Sequence, residues 1–144
     1  MKVVIIEDEM FAARRLENMI REIDPTIEVV AKLESVSESV DWFKNNEEPD
    51  LIFLDIQLED DLSFALFREV EISCSIIFTT ATDEYATRAF LLKGIDYLLK
   101  PIIQKDLEKM ISKYKSAPKS LEPINSSIFN DIINQPPKSP KEDF

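Results

Sequence analysis

The amino-acid sequence predicts an α/β protein with a five-stranded parallel sheet and helices on both of its faces. Short apolar runs alternate five times with segments in which apolar residues recur at helical spacing. The third run, Leu51 to Leu54, is apolar at four successive positions and ends abruptly at Asp55, as expected of a central strand that is covered on both faces. Strands and helices that alternate in this way fold with right-handed crossovers, which bring helices to both sides of the sheet.

Local signals set the order and the approximate bounds of these elements. Asp24-Pro25 stops the first helix, Ser35 and Glu38 have the spacing of a capping box that opens the second, and Gly94 closes the fourth. The predicted strands cover residues 2–6, 27–33, 51–54, 75–78 and 95–99. The predicted helices cover residues 11–23, a segment from Ser35 to a point before Pro49, and residues 62–70, 83–92 and 105–114.

The composition divides the chain into one domain and a tail. Residues 1–115 contain all of the alternating elements and have the size of an ordinary single domain. Residues 116–144 hold five of the eight prolines, interleaved with Ser, Asn and Lys. We therefore expect residues 116–144 to be a Pro-rich linker or tail that leads to an absent output domain.

Composition also excludes several classes of function. The chain has 17 Lys and Arg against 28 Asp and Glu, and its formal net charge of −11 would repel a polyanion such as DNA. Its single glycine, Gly94, cannot form a phosphate-binding glycine loop. The absence of histidine and the presence of one cysteine, Cys74, exclude the usual zinc sites and an internal disulfide. We expect Cys74 to be a small buried core residue.

No apolar run approaches the roughly 20 residues that span a bilayer. The apolar stretch in the first residues is too short and too quickly acidic for a secretory signal. We therefore expect a cytoplasmic protein that does not contact a membrane.

The residues that carry chemistry fall where strands are predicted to end. Glu7-Asp8-Glu9 follows the first strand, Asp55 the third, Thr80 the fourth and Lys100-Pro101 the fifth. Because the carboxyl ends of parallel strands meet at one edge of a sheet, these residues should share a pocket. Crowded carboxylates are costly unless a cation neutralises them, and oxygen ligands without His or Cys suit Mg²⁺ or Mn²⁺.

Such a pocket suits covalent phosphoryl chemistry on a carboxylate. An aspartate can act as a nucleophile and form an acyl phosphate when a metal ion and a lysine spread the charge of the transferred phosphoryl group. Lys100 would supply the lysine. The hydroxyl of Thr80 could meet a phosphoryl oxygen, which would make it the moving part of a switch.

At these residues the sequence resembles the receiver domains of response regulators. The matching segments are IIEDE at 5–9, LIFLDIQL at 51–58, IFTTA at 77–81 and DYLLKP at 96–101, in the family's order and spacing. The resemblance covers about residues 1–115. It implies a flavodoxin-like fold with the strand order 2-1-3-4-5 and a phospho-accepting role in two-component phosphorelay signal transduction.

The resemblance also implies a role for each residue of the predicted pocket. Asp55 is the phosphoacceptor and Lys100 is the lysine that binds the phosphate. Thr80 is the switch hydroxyl, and Tyr97 is the aromatic side chain that changes rotamer with it. Pro101 follows a cis peptide bond.

The metal ligands follow from the same resemblance. Glu7 and Asp8 form the acidic pair that holds Mg²⁺, together with Asp55 and the backbone carbonyl of Gln57. Two positions depart from the family's pattern. Glu7 stands where Asp is common, so its longer side chain is expected to reach the metal directly or through water. Asp61 stands where glycine is usual, which puts the loop geometry near the site in doubt.

The segments DIQLEDDLSF and TTATDEYATRAFLLKGIDYLLKP resemble receivers that are joined to LytTR-type DNA-binding domains. This resemblance implies transcription regulation, a sensor histidine kinase as partner, and DNA contact only through an output domain that is not present here. It also implies a homodimer through the face formed by the helix at 83–92, the fifth strand and the last helix. A free-standing receiver that passes phosphate on or docks to a protein partner remains the alternative.

An enzyme is the other alternative. Haloacid-dehalogenase-like phosphatases also use an aspartate nucleophile with Mg²⁺ at a parallel sheet, but they need a second aspartate two residues later, where this chain has Gln57. We therefore expect no catalysis beyond the chain's own phosphorylation and dephosphorylation. Taken singly, Glu7-Asp8-Glu9 suits an ordinary helix start and Asp55 an ordinary N-cap, so the functional interpretation rests on their joint placement.

Overall fold

A computed structural model describes residues 1–81 and 96–116. The predicted helix at 83–92, the first residue of the predicted fifth strand and the tail from residue 117 lie outside the described residues. The strands are β1 (Lys2–Ile6), β2 (Glu28–Leu33), β3 (Leu51–Asp55), β4 (Ser75–Thr80) and β5 (Asp96–Leu99). The helices are α1 (Met10–Ile23), α2 (Val36–Asn45), α3 (Leu66–Glu69) and α4 (Gln104–Ser116), and a 3₁₀ turn, Ser63–Ala65, precedes α3.

The strands form one parallel sheet in the order β2-β1-β3-β4-β5. This finding confirms the predicted fold class and the strand order that the resemblance implied. The direction of winding reverses between β1 and β3, and a doubly wound sheet opens a crevice there, at its carboxyl edge. The residues that follow β1 and β3 therefore lie where a functional site is expected.

Each face of the sheet has its own hydrophobic core because side chains alternate along a strand. Ile52 and Leu54 of β3 belong to the core that packs against α2 and α3. Leu51 and Phe53 belong to the core that packs against α1 and α4. All five residues of β3 are buried, so the strand is covered on both faces as its apolar run predicted.

The third helix is shorter than predicted. The expected helix at 62–70 is a 3₁₀ turn followed by a single α-helical turn, Leu66–Glu69. At its start, Leu62 is extended and forms an isolated antiparallel bridge with Gln57, so it cannot begin a helix. At its end, Val70 is also extended.

Strand β4 is longer than predicted. It continues two residues beyond Phe78, because Thr79 and Thr80 still pair with the neighbouring strands.

Helix α2 begins with the capping serine that the sequence predicted. The Ser35 hydroxyl accepts the Glu38 N–H at 3.0 Å. The return bond of the capping box differs from the expected pattern, because the Glu38 carboxylate accepts the N–H of Glu34 at 3.2 Å. This arrangement satisfies one of the free N–H groups of the first turn and leaves others for a different partner.

Carboxylates from two other elements hold the last turn of helix α4. Asp96 at the start of β5 accepts bonds from Lys113 at 2.6 Å and from the Tyr114 hydroxyl at 2.7 Å, while Lys115 pairs with Asp24 at the end of α1. The helix continues to Ser116, slightly beyond its predicted end. Within residues 1–81 and 96–116, each helix is too short or too polar to span a bilayer.

Cys74 is partly buried and packs against the core, whereas we expected a small buried core residue. It lies just before β4, and its N–H donates to the Glu48 carboxylate at 3.1 Å. Burial raises the pKa of the Cys74 thiol, and the charge of Glu48 raises it further.

Candidate functional site

Asp55 is the last residue of the central strand β3, at the carboxyl edge of the sheet. It pairs in register with Thr79 of β4, and the preceding Leu54 pairs with Ile6 of β1. Its carboxylate is largely buried, with 7% of the residue exposed. A buried charge of this kind needs partners, because desolvation alone makes an isolated carboxylate costly.

Two further carboxylates lie next to Asp55. One ligand oxygen from each of Glu7, Asp8 and Asp55 lies within 4.8 Å of the others. Glu7 is as buried as Asp55, whereas Asp8 is more exposed. The acidic pocket that the sequence predicted at the strand ends is therefore present in the fold, and its three carboxylates could hold a metal ion.

Lys100 supplies the positive charge of the pocket. Its Nζ donates to Oδ2 of Asp55 at 2.9 Å and also to Oε1 of Glu7. The lysine follows β5, where its backbone N–H donates to the Thr80 carbonyl at 2.8 Å, and it precedes a cis peptide bond to Pro101 that the resemblance implied. The backbone hydrogen bond thus fixes the main chain of Lys100, and the two ion pairs fix its Nζ.

The pKa values of the pocket record the balance of these charges. For Lys100, burial alone would lower the pKa, but the hydrogen bonds and charges of Asp55 and Glu7 outweigh burial and raise it. For Asp8, burial, a hydrogen bond to Glu7 and the charge of Glu7 raise the pKa, against the lowering effect of Lys100. Lys100 therefore remains charged at neutral pH, and its single charge does not cancel the repulsion at Asp8.

Both oxygens of Glu7 have hydrogen-bond partners in this arrangement. Oε1 accepts from Lys100, and Oε2 accepts the N–H of Glu9 at 3.1 Å. Glu9 is the N-cap of helix α1, so this bond also links the carboxylate to the start of that helix. Glu7 contacts the lysine as well as belonging to the acidic cluster.

The loop after Asp55 is short and internally bonded. Ile56 donates its N–H to the Thr79 carbonyl at 3.0 Å and accepts the Ser63 N–H at 2.7 Å, while Gln57 donates its N–H to Oδ1 of Asp55 at 3.3 Å. These bonds hold the backbone of Gln57 beside the acidic cluster. They leave its side chain exposed.

Asp61, the position where the family usually has glycine, does not require a left-handed backbone. Among the described residues, no residue other than glycine has a positive φ. The Asp61 carbonyl accepts the Leu58 N–H at 3.0 Å, and its carboxylate accepts the Leu62 N–H at 2.7 Å. The doubt about the loop geometry at this departure is therefore removed.

Thr80 and Tyr97 lie near the site on the two neighbouring strands. Thr80 is the last residue of β4 and is buried. Tyr97 pairs in register with Phe78 and packs, half-buried, against the core that faces α2 and α3. The fold brings Thr80 to the same edge as Asp55 and Lys100, and it places Tyr97 near the start of β5, two residues before the end of the strand at that edge.

A cleft of about 410 Å³ opens beside Lys100, between α1 and the segment after β5. Phe11, Ala12 and Ile102 are among its lining residues, and Phe11 is 71% exposed. Ile103 and Met10 are also exposed. The Lys100 side of the pocket is thus bordered by apolar side chains that solvent can reach.

A doubly wound parallel sheet that presents an acidic pocket and a lysine at its carboxyl edge is the arrangement expected of a phosphoryl-accepting signalling domain. The family model described as "Response regulator receiver domain" matches residues 3–112. Since this match covers most of the chain, the chain belongs to the response regulator receiver domain family.

Relatives and solved structures agree with this assignment. The chain is 32% identical over 123 residues to the sensory transduction protein LytT of Bacillus anthracis, covering 83% of this chain and 49% of LytT. It is 35% identical over 135 residues to the transcriptional regulatory protein LytR of Staphylococcus aureus, covering 92% of this chain and 54% of LytR. The chain spans about half the length of these relatives.

A crystal structure of the response regulatory domain of mrkE from Klebsiella pneumoniae superposes with a TM-score of 0.70 at 31% identity. The match covers 81% of this chain and 96% of that domain. The likeness supports the receiver fold independently of the site residues.

Two features of the site were not predicted from the sequence. The first is the contact between Glu7 and Lys100, which are 93 residues apart. The second is Asp60, whose carboxylate accepts the N–H groups of Val36 and Ser37 at the start of α2. Asp60 lies between two other acidic residues, and no sequence signal distinguishes it from them. Only the tertiary approach of the loop to α2 reveals its contact.

Proposed function

We propose that this chain is the phospho-accepting receiver of a two-component system and that Asp55 takes the phosphoryl group. The observation that carries the proposal is the contact of the buried Asp55 carboxylate with Lys100, inside a cluster of three carboxylates. Attack by an Asp55 oxygen on phosphorus forms the P–O bond of an acyl phosphate. The P–N bond of a kinase phosphohistidine breaks, and the nitrogen takes the electron pair and then a proton.

Lys100 has two tasks in this proposal. Before the reaction it neutralises part of the charge on Asp55 and Glu7. After the reaction it pairs with a phosphoryl oxygen, where its positive charge stabilises the transferred group. A sensor histidine kinase is the proposed phosphate source, and the reaction on this chain is its own phosphorylation and dephosphorylation.

Mg²⁺ is the proposed cofactor. Asp8, Asp55 and the Gln57 carbonyl would hold it, with Glu7 contributing directly or through water. The donor set fits, because three carboxylates lie within 4.8 Å of one another and one lysine offsets them. The raised pKa of Asp8 supports this choice, because burial and Glu7 leave its negative charge under-compensated. Mg²⁺ bound there would neutralise phosphoryl oxygens as a Lewis acid.

Thr80 and Tyr97 are the proposed readout of phosphorylation. Thr80 would donate its hydroxyl to a phosphoryl oxygen, and Tyr97 would turn further into the space that this movement frees. The half-buried position of Tyr97 against the core supports a residue with two packing states. A ligand moves such an equilibrium only by its differential affinity for the two states, so Lys100 and the metal-bound phosphate must contribute along with Thr80.

We further propose that residues 1–115 are the receiver and residues 116–144 a linker to a LytTR-type DNA-binding domain that regulates transcription. The names of the LytR and LytT relatives and their roughly twofold greater length support this assignment. DNA contact would occur only through that output domain. A homodimer would form through the face of the helix at 83–92, β5 and α4. A free-standing receiver in a phosphorelay remains the alternative, and sequencing the gene beyond codon 144 distinguishes the two.

Incubation with acetyl phosphate and Mg²⁺, followed by intact mass spectrometry, tests the central proposal. Wild-type protein should gain one phosphoryl group that is labile to both strong acid and alkali, Asp55→Asn should gain none, and Glu59→Gln should match the wild type. If Asp55→Asn is phosphorylated at the wild-type rate, Asp55 is not the acceptor.

Beryllofluoride, a phosphoryl analogue, tests the readout. Amide shifts on β5 and α4 should appear in the wild type with Mg²⁺ and should be much smaller in Thr80→Ala. Equal shifts in both proteins would show that Thr80 does not couple the phosphoryl group to this face.

A further inference from the structure

Asp60 ties the loop after the phosphoacceptor to helix α2. Its Oδ1 accepts the Val36 N–H at 2.9 Å and its Oδ2 accepts the Ser37 N–H at 3.1 Å. These residues are the first two of α2 and lie 24 and 23 residues before Asp60 in the chain. A helix leaves the N–H groups of its first turn without intrahelical partners, and a carboxylate at that end also interacts favourably with the helix dipole.

The two bonds complete the start of α2. The Ser35 hydroxyl already accepts the Glu38 N–H, and Asp60 accepts the two N–H groups that precede it. Asp60 is exposed, and burial still opposes its charge, but the bonds from Val36 and Ser37 lower its pKa. The carboxylate therefore remains ionised and bonded at neutral pH.

Bonds within the loop at residues 57–62 connect Asp60 to Gln57 beside the acidic cluster. Leu58 is buried and its N–H donates to the Asp61 carbonyl, while Gln57 and Leu62 form an antiparallel bridge. Asp60 is thus at the tip of a closed loop whose base carries Gln57. The bridge and the Leu58 bond connect the tip of the loop to the backbone of Gln57.

We propose that Asp60 is a positioning residue that couples the metal site to the start of helix α2 through the loop that bears Gln57. This inference rests on the proposed function, because the Gln57 carbonyl is one of the proposed Mg²⁺ ligands. Asp60 is not a member of the cluster of Glu7, Asp8 and Asp55. It holds the loop in which the Gln57 N–H donates to Oδ1 of Asp55, so the backbone of Gln57 stays beside that cluster.

Coupling between two sites is reciprocal, so it has two observable consequences. Removal of the Asp60 carboxylate should weaken Mg²⁺ binding, by about 10-fold if it resembles other outer-sphere positioning groups. Conversely, Mg²⁺ binding to the wild type should alter the Val36 and Ser37 amides, which are contacts of Asp60 and not of the metal.

The experiment compares Asp60→Ala with Asp61→Ala. Both variants lose one negative charge in the same loop, but the Asp61 carboxylate contacts only the neighbouring Leu62 N–H in the described structure. Calorimetric titration with MgCl₂ should give a dissociation constant about 10-fold higher for Asp60→Ala and within about 2-fold of the wild type for Asp61→Ala. Asp60→Asn, which retains one acceptor oxygen, should fall between the wild type and Asp60→Ala.

Amide NMR supplies the second readout and does not need a folded variant. Mg²⁺ titration of the wild type should shift the Val36 and Ser37 amides along the same binding curve as the Gln57 amide. Val36 and Ser37 signals that do not respond to Mg²⁺ would overturn the coupling. So would unchanged Mg²⁺ affinity in Asp60→Ala with faster Val36 exchange, because Asp60 would then be only a helix cap. If Asp61→Ala weakens Mg²⁺ binding as much as Asp60→Ala does, the effect comes from the lost charge alone and the coupling is also overturned.

A failure of the proposed function gives a different pattern. If the wild type does not bind Mg²⁺ at all, the metal site itself is wrong. If the wild type binds Mg²⁺ and becomes phosphorylated while Asp60→Ala retains full affinity, only the coupling is wrong.

Discussion

Replacing Asp8 by Asn should stabilise the protein without Mg²⁺ and weaken the stabilisation that Mg²⁺ provides. Asp8 lies within 4.8 Å of the carboxylate oxygens of Glu7 and Asp55, and the single charge of Lys100 offsets about one of these repulsions. The repulsion between one uncompensated pair of carboxylates at this distance is about 1 kcal/mol at the dielectric constant of water. It rises to about 3 kcal/mol at an effective dielectric constant of 20. Because Asp8 is partly exposed, we expect the lower end, about 1 kcal/mol.

With Mg²⁺ bound, the wild type should become more stable than Asp8→Asn. A ligand at 100 times its dissociation constant stabilises a protein by about 2.7 kcal/mol. Wild type should gain this amount, whereas Asp8→Asn, which lacks one carboxylate ligand, should gain much less. A gain of about 1 kcal/mol corresponds to a rise of about 4 °C in Tm for a domain of this size.

Urea unfolding followed by the fluorescence of Trp42 measures both effects. Trp42 is the only tryptophan, and it packs against the core beside Phe43, with ring centroids 5.0 Å apart. Glu59→Gln is the control, because it removes one charge from an exposed carboxylate that is not in the cluster.

Since burial and Glu7 raise the pKa of Asp8, its ionised form opposes folding above that pKa. The advantage of Asp8→Asn should therefore disappear as the pH falls through it. An Asp8→Asn variant less stable than wild type without Mg²⁺ would refute this reasoning.

Three further outcomes follow from the same structure. Lys100→Met should lower the free energy of unfolding by about 2–3 kcal/mol without Mg²⁺, because two buried carboxylates lose their cation, and added Mg²⁺ should restore part of this loss in urea titrations. Phe64→Ala should cost about 3–5 kcal/mol in the same assay, because Phe64 is fully buried against Phe78, while Phe11→Ala at an exposed position should cost less than about 0.5 kcal/mol. The Cys74 thiol, whose pKa is raised by burial, should react with iodoacetamide at pH 8 far more slowly in the native protein than in guanidinium chloride.

Much of the fold was predictable because the local signals agree with one another. The apolar run before Asp55 is a strand buried on both faces, and the position of Ser35 begins a helix. The placement of Glu7, Asp55 and Lys100 in one pocket followed from the rule that parallel strands end at the same edge. The strand and helix signals lie within a few residues of one another, and the rule for parallel sheets then brings the distant strand ends together.

Individual contacts that no general rule of the fold specifies were not predictable. Helix α3 is short because Leu62 is drawn into a bridge with Gln57, and no spacing of apolar residues signals that bridge. Asp60 is one of several acidic residues in its loop, and only the approach of α2 distinguishes it. The extra methylene of Glu7 was expected to matter for the metal, yet in the fold Glu7 also bonds to Lys100.

The position of the phosphoryl group tests the central claim most directly. Protein treated with acetyl phosphate and Mg²⁺ is reduced with borohydride, which converts an aspartyl phosphate to homoserine, and is then digested with trypsin and sequenced by tandem mass spectrometry. Cleavage after Lys44 and Arg68 releases a peptide that holds four aspartates, Asp50, Asp55, Asp60 and Asp61, so fragmentation can distinguish them. Homoserine should occur at position 55 alone. Homoserine at another aspartate, or none in a protein that binds Mg²⁺ normally, would contradict the assignment of Asp55 as the phosphoacceptor.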